Sequence, residues 1–236
     1  MKKADDFSRY SRQIFIEEIG LEGQKKIIAS KVLVIGAGGL GSPVIQYLTA
    51  AGVGTLGVAD FDHVELHNLN RQIIHTENSI GISKVKSAEN FVKKLNHQVR
   101  FMAFEEKINE LNIEDILSYY DIIIDGSDNF STRYLVNDTC VKLKKTLVYG
   151  SILGFSGQVA VFNHKGSKNL RDIFPEPPFD EVVPDCDSLG VLGALPGIIG
   201  SMMALQTLKI ITDLPVNLDQ MTLVDTMNWR FQIVGF

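Results

Sequence analysis

Lys31-Val-Leu-Val-Ile-Gly-Ala-Gly-Gly-Leu-Gly-Ser42 opens with four consecutive apolar residues, Val32 to Ile35, the pattern of a strand buried on both faces of a parallel sheet. Gly36, Gly38 and Gly41 follow at the G-x-G-x-x-G spacing, a turn in which backbone N–H groups approach a phosphate at a helix N-terminus. Val58-Ala-Asp-Phe-Asp62 then sets Asp60 at the end of a second strand, about 20 residues on, where a ribose-binding carboxylate is expected. The combination predicts a bound nucleotide with its phosphates on the Gly-rich turn.

Outward from that turn, strands alternate with helices. Strands are expected at 31–35, 55–59, 99–104, 121–125 and 146–150, with helices near 40–51, 82–96, 111–118 and 130–141. The 82–96 helix carries an apolar stripe of Val85, Ala88, Val92 and Leu95. After residue 150 come a strand-like Ser156-Gly-Gln-Val-Ala-Val-Phe162, the Pro-rich Phe174-Pro-Glu-Pro-Pro178, an apolar helix, and short strands near 221–225 and 229–234. The fold class expected is α/β: a doubly wound, mostly parallel, Rossmann-like sheet with helices on both faces, extended by C-terminal antiparallel strands. No linker or repeat divides the chain, so 1–236 reads as one domain whose first 150 residues form the nucleotide-binding half.

Composition narrows the function classes. With 236 residues, 45% of them hydrophobic, the chain can bury a full α/β core without metals or disulfides as staples. Its two cysteines, Cys140 and Cys186, lie far apart and read as reduced thiols, Cys140 as a small buried side chain. The opening Met-Lys-Lys-Ala-Asp-Asp lacks the order of a signal peptide, and a cytoplasmic location is the expectation. The longest apolar stretch, Leu189 to Leu205, is broken by glycines and Pro196, so a buried loop and helix are expected rather than a membrane anchor. A net charge of −5 with mixed signs argues against a nucleic-acid backbone as the main partner.

Charged residues separate the chain from a nicotinamide-dependent oxidoreductase. Asn68-Leu-Asn-Arg-Gln72 follows the second strand, Gly81-Ile-Ser-Lys84 opens a helix, and Asp125-Gly-Ser-Asp-Asn129 follows the fourth strand. Loops after strand C-terminal ends converge on one crevice in a doubly wound sheet, so Asp60, Arg71, Lys84 and Asp128 are expected to face one ligand. Two cations for phosphate oxygens and a carboxylate for Mg²⁺ suit a triphosphate; hydride transfer needs neither. His63, His67 and His75 read as surface or loop histidines without an acid–base role.

These residues, with Arg9-Tyr-Ser-Arg-Gln-Ile14, the Phe174–Pro178 stretch and Pro184-Asp-Cys186, resemble the ThiF/MoeB/HesA family, related to the adenylation domains of ubiquitin-activating enzymes, from about Arg9 to the C-terminus. The resemblance implies a homodimer that uses ATP and Mg²⁺ to adenylate the C-terminal glycine of a ubiquitin-like sulfur carrier ending in Gly-Gly. The thiamine-type carrier is the leading expectation, a molybdopterin-type carrier or a dedicated natural-product or peptide substrate the alternatives; a catalytically silent scaffold belongs to another class. It assigns nucleotide contacts to Gly36, Gly38, Gly39, Gly41, Asp60, Asp62, Asn68, Arg71, Gln72, Lys84, Asp128 and Asn129. It likewise implies that Asp128 would hold Mg²⁺ and that Arg12, Arg71, Lys84, Asp128 and Cys186 form the catalytic set. By the same resemblance Arg12 is expected to reach the partner subunit's site, and residues 151–236 to supply a crossover loop, the carrier-binding surface and the C-terminal strands. Cys186, on the crossover loop, matches a cysteine that links covalently to the carrier in some members. Its neighbours Asp185 and Asp187 disfavour the thiolate, which leaves that role open. Most members hold a structural zinc with two C-x-x-C pairs; here Asn169-Leu-Arg-Asp172 replaces the first and the second is missing, so no zinc is expected and 163–173 should be looser.

Overall fold

Five apolar runs become five parallel strands in the computed structural model, which describes residues 4–178 and 190–236. They are β1 (Lys31–Ile35), β2 (Thr55–Ala59), β3 (Arg100–Phe104), β4 (Ile122–Asp125) and the first half of β5 (Thr146–Leu153). β6 (Ser156–Phe162), β7 (Gln220–Asp225) and β8 (Arg230–Gly235) continue the sheet antiparallel, giving the order β3-β2-β1-β4-β5-β6-β7-β8. The α/β class and its antiparallel extension are therefore as expected. β5 runs on to Leu153 instead of stopping at 150, because a two-residue turn at Gly154 and Phe155, with Gly154 at φ +58°, folds it straight into β6.

β1 lies between β2 and β4, and the chain winds outward from it in both directions, so the crevice opens at the C-terminal ends of β1 and β4. Helices α3 (Gly41–Ala51), α4 (Lys84–Leu95) and α7 (Ala194–Ile211) share one apolar core with the sheet; α5 (Ile113–Ser118) and α6 (Phe130–Leu143) share the other. The α4 stripe buries Val85, Ala88 and Val92, whereas Leu95, in the last turn, stays 36% exposed. Cys140 packs wholly inside, and burial pushes its thiol far above the ordinary range.

α7 is the one described helix long and apolar enough by composition to cross a membrane, yet it lies against β5 and β6. Close approach is the reason for one of its glycines: a Cβ at Gly200 would stand 2.3 Å from Pro43 and 2.5 Å from the Leu40 carbonyl. α7 consequently begins beside the glycine turn, with Pro196 next to Gly39.

Two helices precede β1 that the apolar pattern did not reveal, α1 (Ala4–Ile14) and α2 (Gly20–Ala29). Polar contacts hold them: Gln24 is fully buried, donates to the Ala51 carbonyl at 3.0 Å and accepts from Gln13 at 2.7 Å, while Asn96 donates to the Tyr10 hydroxyl at 2.8 Å. Helices fastened by hydrogen bonds leave little trace in hydrophobic periodicity.

The segment expected to loosen without zinc is instead clipped to α6. Arg171 donates to both carboxylate oxygens of Asp138 at 2.8 and 2.9 Å and to the Pro175 carbonyl at 2.7 Å, with its guanidinium 4.8 Å over the Tyr134 ring. Asn137 accepts from the Leu170 N–H at 2.9 Å, and Arg171 holds the Asp138 carboxyl below its usual range. That contribution is present at neutral pH and is lost as pH falls through the lowered value. The pair is more than a third exposed, so it is worth no more than about 1 kcal/mol. Arg171→Ala should lower the melting temperature by about 2–4 °C and speed amide exchange at 170–174; unchanged exchange there would show that the pair anchors nothing.

Candidate active site

The glycine turn is tight enough to exclude side chains at two of its positions. Gly36 sits at φ +92°, and a Cβ at Gly41 would fall 1.9 Å from the Gly36 carbonyl oxygen. α3 therefore starts directly against the turn, with no side-chain cap on its N-terminus, which leaves N–H groups for an anion.

Asp60 fixes that turn. Its carboxylate accepts from the Ala37 N–H at 2.7 Å and the Asp62 N–H at 2.9 Å, joining the ends of β1 and β2. Burial raises the Asp60 pKa; nearby Lys84 and the two backbone N–H groups pull the other way. His75 secures the next peptide, on the other side of Ala37: its Nε2 is 3.0 Å from the Ala37 carbonyl and its Nδ1 2.8 Å from Ser87 Oγ. A carbonyl can only accept, so Nε2 carries the proton and Nδ1 accepts from Ser87. His75 lies on a loop, as one of the two expectations had it, but not at the surface: it is only 5% exposed, and burial lowers its pKa. His63 and His67 are exposed as expected.

Above the turn lies a cleft of about 560 Å³, within the range of ligand sites. Gly36, Gly38, Gly39, Asp60, Asp62, Arg71, Gln72, Lys84, Asp128 and Asn129 all line it, as the doubly wound topology predicts. Lys84 is held 2.8 Å from Asp62, its side chain only 9% exposed. Arg71 donates to the His67 carbonyl at 3.0 Å and to Asn70 at 3.2 Å. Gln72 is buried, and its Oε1 has no hydrogen-bond partner among the described residues. Asp128 is exposed, with Asn129 Nδ2 3.3 Å from its Oδ1.

Four expected site residues stand elsewhere or do other work. Gly41 serves close packing rather than lining. Asn68 is buried, its Oδ1 accepting from the Glu65 N–H at 2.9 Å, so it shapes the loop beneath Arg71. Asn129 lines the cleft, but its Oδ1 caps α6 through the Thr132 N–H at 2.9 Å. Arg12 is exposed on α1, away from the described lining. Cys186 and the Pro184-Asp-Cys186 motif lie outside the described residues.

Further lining residues had no motif to announce them: Glu106, Lys107 and Ile108 after β3, Val191 before α7, and Arg133 on α6, whereas Phe61 came only as the unremarked middle of the Asp60–Asp62 motif. Lys107 Nζ stands 5.7 Å from the Phe61 ring centroid. Only the rule that loops after parallel strands meet at the switch point could have pointed to the 106–108 segment.

The donor set fits Mg²⁺ that arrives with phosphates. No group of three or more His, Cys, Asp or Glu side chains could cage a metal among the described residues. A lone carboxylate such as Asp128 is what a largely hydrated Mg²⁺ shared with substrate oxygens requires.

The turn's packing generates a contrast between two glycines. Gly41→Ala should destabilise the protein by about 3 kcal/mol and remove nucleotide binding. Gly38→Ala, whose Cβ would meet nothing closer than Gln72 at 3.7 Å, should unfold within about 0.5 kcal/mol of the parent. Equal melting temperatures for the two variants would refute close packing as the requirement at Gly41.

The ThiF family model matches residues 10–235. The chain is 49% identical over 207 residues to the adenylyltransferase and sulfurtransferase MOCS3 of Culex quinquefasciatus, an alignment covering 88% of this chain and 47% of that protein. It is 46% identical over 232 residues to the MOCS3 of Arabidopsis thaliana, covering 98% and 50%. It thus spans about half the length of these curated relatives. Among solved structures, E. coli MccB with ATP superposes with a TM-score of 0.85 at 18% identity, over 96% of this chain and 71% of that one. PaaA does so with 0.84 at 20% identity, over 99% and 74%. Those two likenesses show the fold, and the family match together with the MOCS3 identities shows that the chain belongs to the ThiF family.

Proposed function

We propose that this chain is an adenylyltransferase that uses MgATP to activate the C-terminal glycine carboxylate of a ubiquitin-like sulfur carrier ending in Gly-Gly. The observation that carries the reading is the convergence of the glycine turn, Asp60, Arg71, Lys84 and Asp128 on one cleft at the switch point. MOCS3 relatives named as adenylyltransferases, 49% and 46% identical to the chain, support it. A thiamine-type or a molybdopterin-type carrier would present the same Gly-Gly carboxylate to this cleft. A cytoplasmic homodimer belongs to the same reading, as does a structure held without zinc.

The step balances without a proton. A carboxylate oxygen of the carrier attacks the α-phosphorus, the bond to the β-phosphate's bridging oxygen breaks, and pyrophosphate leaves with the electron pair to give an acyl adenylate. The carboxylate is ionised at neutral pH, so no general base is needed. Negative charge approaching an anionic centre instead calls for fixed cations. Arg71 and Lys84 supply them from the cleft wall, the α3 N-terminus receives phosphate oxygens, and Asp60 takes a ribose hydroxyl. Mg²⁺, held by Asp128, would neutralise phosphate charge. Arg12, exposed on α1 and absent from the lining of its own cleft, is suited to serve the site of a second copy. Cys186 acts, where it acts, after the adenylate has formed.

ATP–pyrophosphate exchange with a panel of Gly-Gly carriers tests the reading, and exchange with one carrier identifies the substrate. Exchange with none, while ATP binds, would redirect it to a peptide or small-molecule carboxylate or to a silent scaffold. Lys84→Ala should cut kcat/KM by about 10²–10³, and Asp128→Ala should abolish exchange while weakening ATP binding only in part. Cys186→Ala should leave exchange intact; its loss would place the thiol before adenylation. Mixing inactive Arg12→Ala with inactive Asp128→Ala should restore about a quarter of the activity if each site draws its arginine from the other copy. A mixture without activity would end that assignment.

A further inference from the structure

Asp128 owes its place to a turn built on a buried ion pair. Arg133, only 4% exposed, reaches from the first turn of α6 into the cleft floor, where Nη2 donates to the Ser127 carbonyl at 2.6 Å and Nη1 to the Gly150 carbonyl at 2.7 Å. Its guanidinium lies 5.0 Å from the Tyr149 ring centroid. Asp125, fully buried at the end of β4, faces it at 3.7 Å. The other carboxylate oxygen of Asp125 receives the Ser127 N–H at 2.9 Å and its hydroxyl at 2.5 Å. Ser127 is therefore gripped at its N–H, its hydroxyl and its carbonyl, and Asn129 on the other side is fixed as the cap of α6. Asp128 is the exposed residue between two immobilised neighbours.

A charged pair in the core is a weak source of stability, because desolvation offsets most of its attraction. A fork that spans two carbonyls, by contrast, sets geometry, and a lysine cannot reproduce it. Ser127 belongs to the turn after β4 and Gly150 to β5, so the fork ties the metal-binding turn to the strand beside it.

We propose that Arg133, countered by Asp125, is a positioning residue that sets Asp128 for the metal–nucleotide complex. The proposal rests on the reading of Asp128 as the carboxylate for Mg²⁺. Arg133 acts through the Ser127 carbonyl, and its effect belongs to metal affinity rather than to nucleotide binding as such.

The test uses Mn²⁺ as the probe, titrated by electron paramagnetic resonance into the full-length protein with a non-hydrolysable ATP analogue. Nucleotide affinity is measured in parallel without metal. Arg133→Lys keeps the buried charge and removes the fork, and it should weaken Mn²⁺ binding by about 10–100-fold, the usual cost of losing a partner that orients a metal ligand. Metal-free nucleotide binding should stay within about twofold, inside the scatter of independent sites. The paired change Asp125→Asn with Arg133→Met removes both charges together and should show the same selective loss even if Arg133→Lys folds poorly. On an Asp128→Ala background, Arg133→Lys should add nothing further, because both changes cancel one interaction. Unchanged Mn²⁺ affinity in a folded Arg133→Lys protein, or full additivity with Asp128→Ala, would overturn the proposal and leave Arg133 a packing residue. If Asp128→Ala alone leaves Mn²⁺ affinity intact, the metal reading of Asp128 falls first, and the proposal with it.

Discussion

A single carboxylate joins the two halves of the cleft. Asp60 accepts from the Ala37 N–H on the glycine turn and from the Asp62 N–H after β2, and Asp62 in turn holds Lys84 at the start of α4. His75 completes the arrangement by donating to the Ala37 carbonyl while accepting from Ser87, one turn into the same helix. Ala37 is thus held at both its N–H and its carbonyl, through the two peptide units that flank it. The distance between the phosphate turn and the Lys84 cation is set before any ligand arrives.

Fixing these groups in advance matters because the proposed reaction needs no proton transfer. Where chemistry consists of bringing an anion to an anion, the protein contributes mainly by holding positive groups where charge accumulates, without reorganising them at the moment of reaction. Hydrogen bonds at Asp60, half-buried, and at His75 and Arg133, both buried, immobilise the three stretches of chain that carry the turn, Lys84 and Asp128. None of the three side chains is required to enter the reaction.

The parallel strands were legible because they are short, predominantly apolar runs, and the Gly-rich turn and the charges after β2 and β4 were legible because topology sends those loops to one crevice. Motif and role proved separable, however. Asn68 and Asn129 occupy motif positions, yet their side-chain oxygens are spent on the backbone of their own loops. His75 looked like one more loop histidine because its partners, Ala37 and Ser87, lie 38 residues before it and 12 after it in the chain. Arg133 reads in isolation as an exposed helix cation; it is buried only because Asp125, Tyr149 and Gly150 arrive from neighbouring strands. Likewise α1 and α2 are fastened by Gln24, Asn96 and Tyr10, and polar contacts between distant segments have no periodicity to read.

Lys84 shows how a local rule broken in the sequence marks the site. It is the first residue of α4, where the helix dipole favours an anion and disfavours a cation, and it is almost fully buried. Both costs run against stability, and Asp62 offsets them only from the flank of the cleft, being about half exposed itself. A helix that needed only to fold would place an acidic residue there. A lysine kept at that position, with its charge directed into a cleft beside a phosphate-sized turn, is a group whose compensation arrives with the ligand, as expected where sequences set stability aside for function.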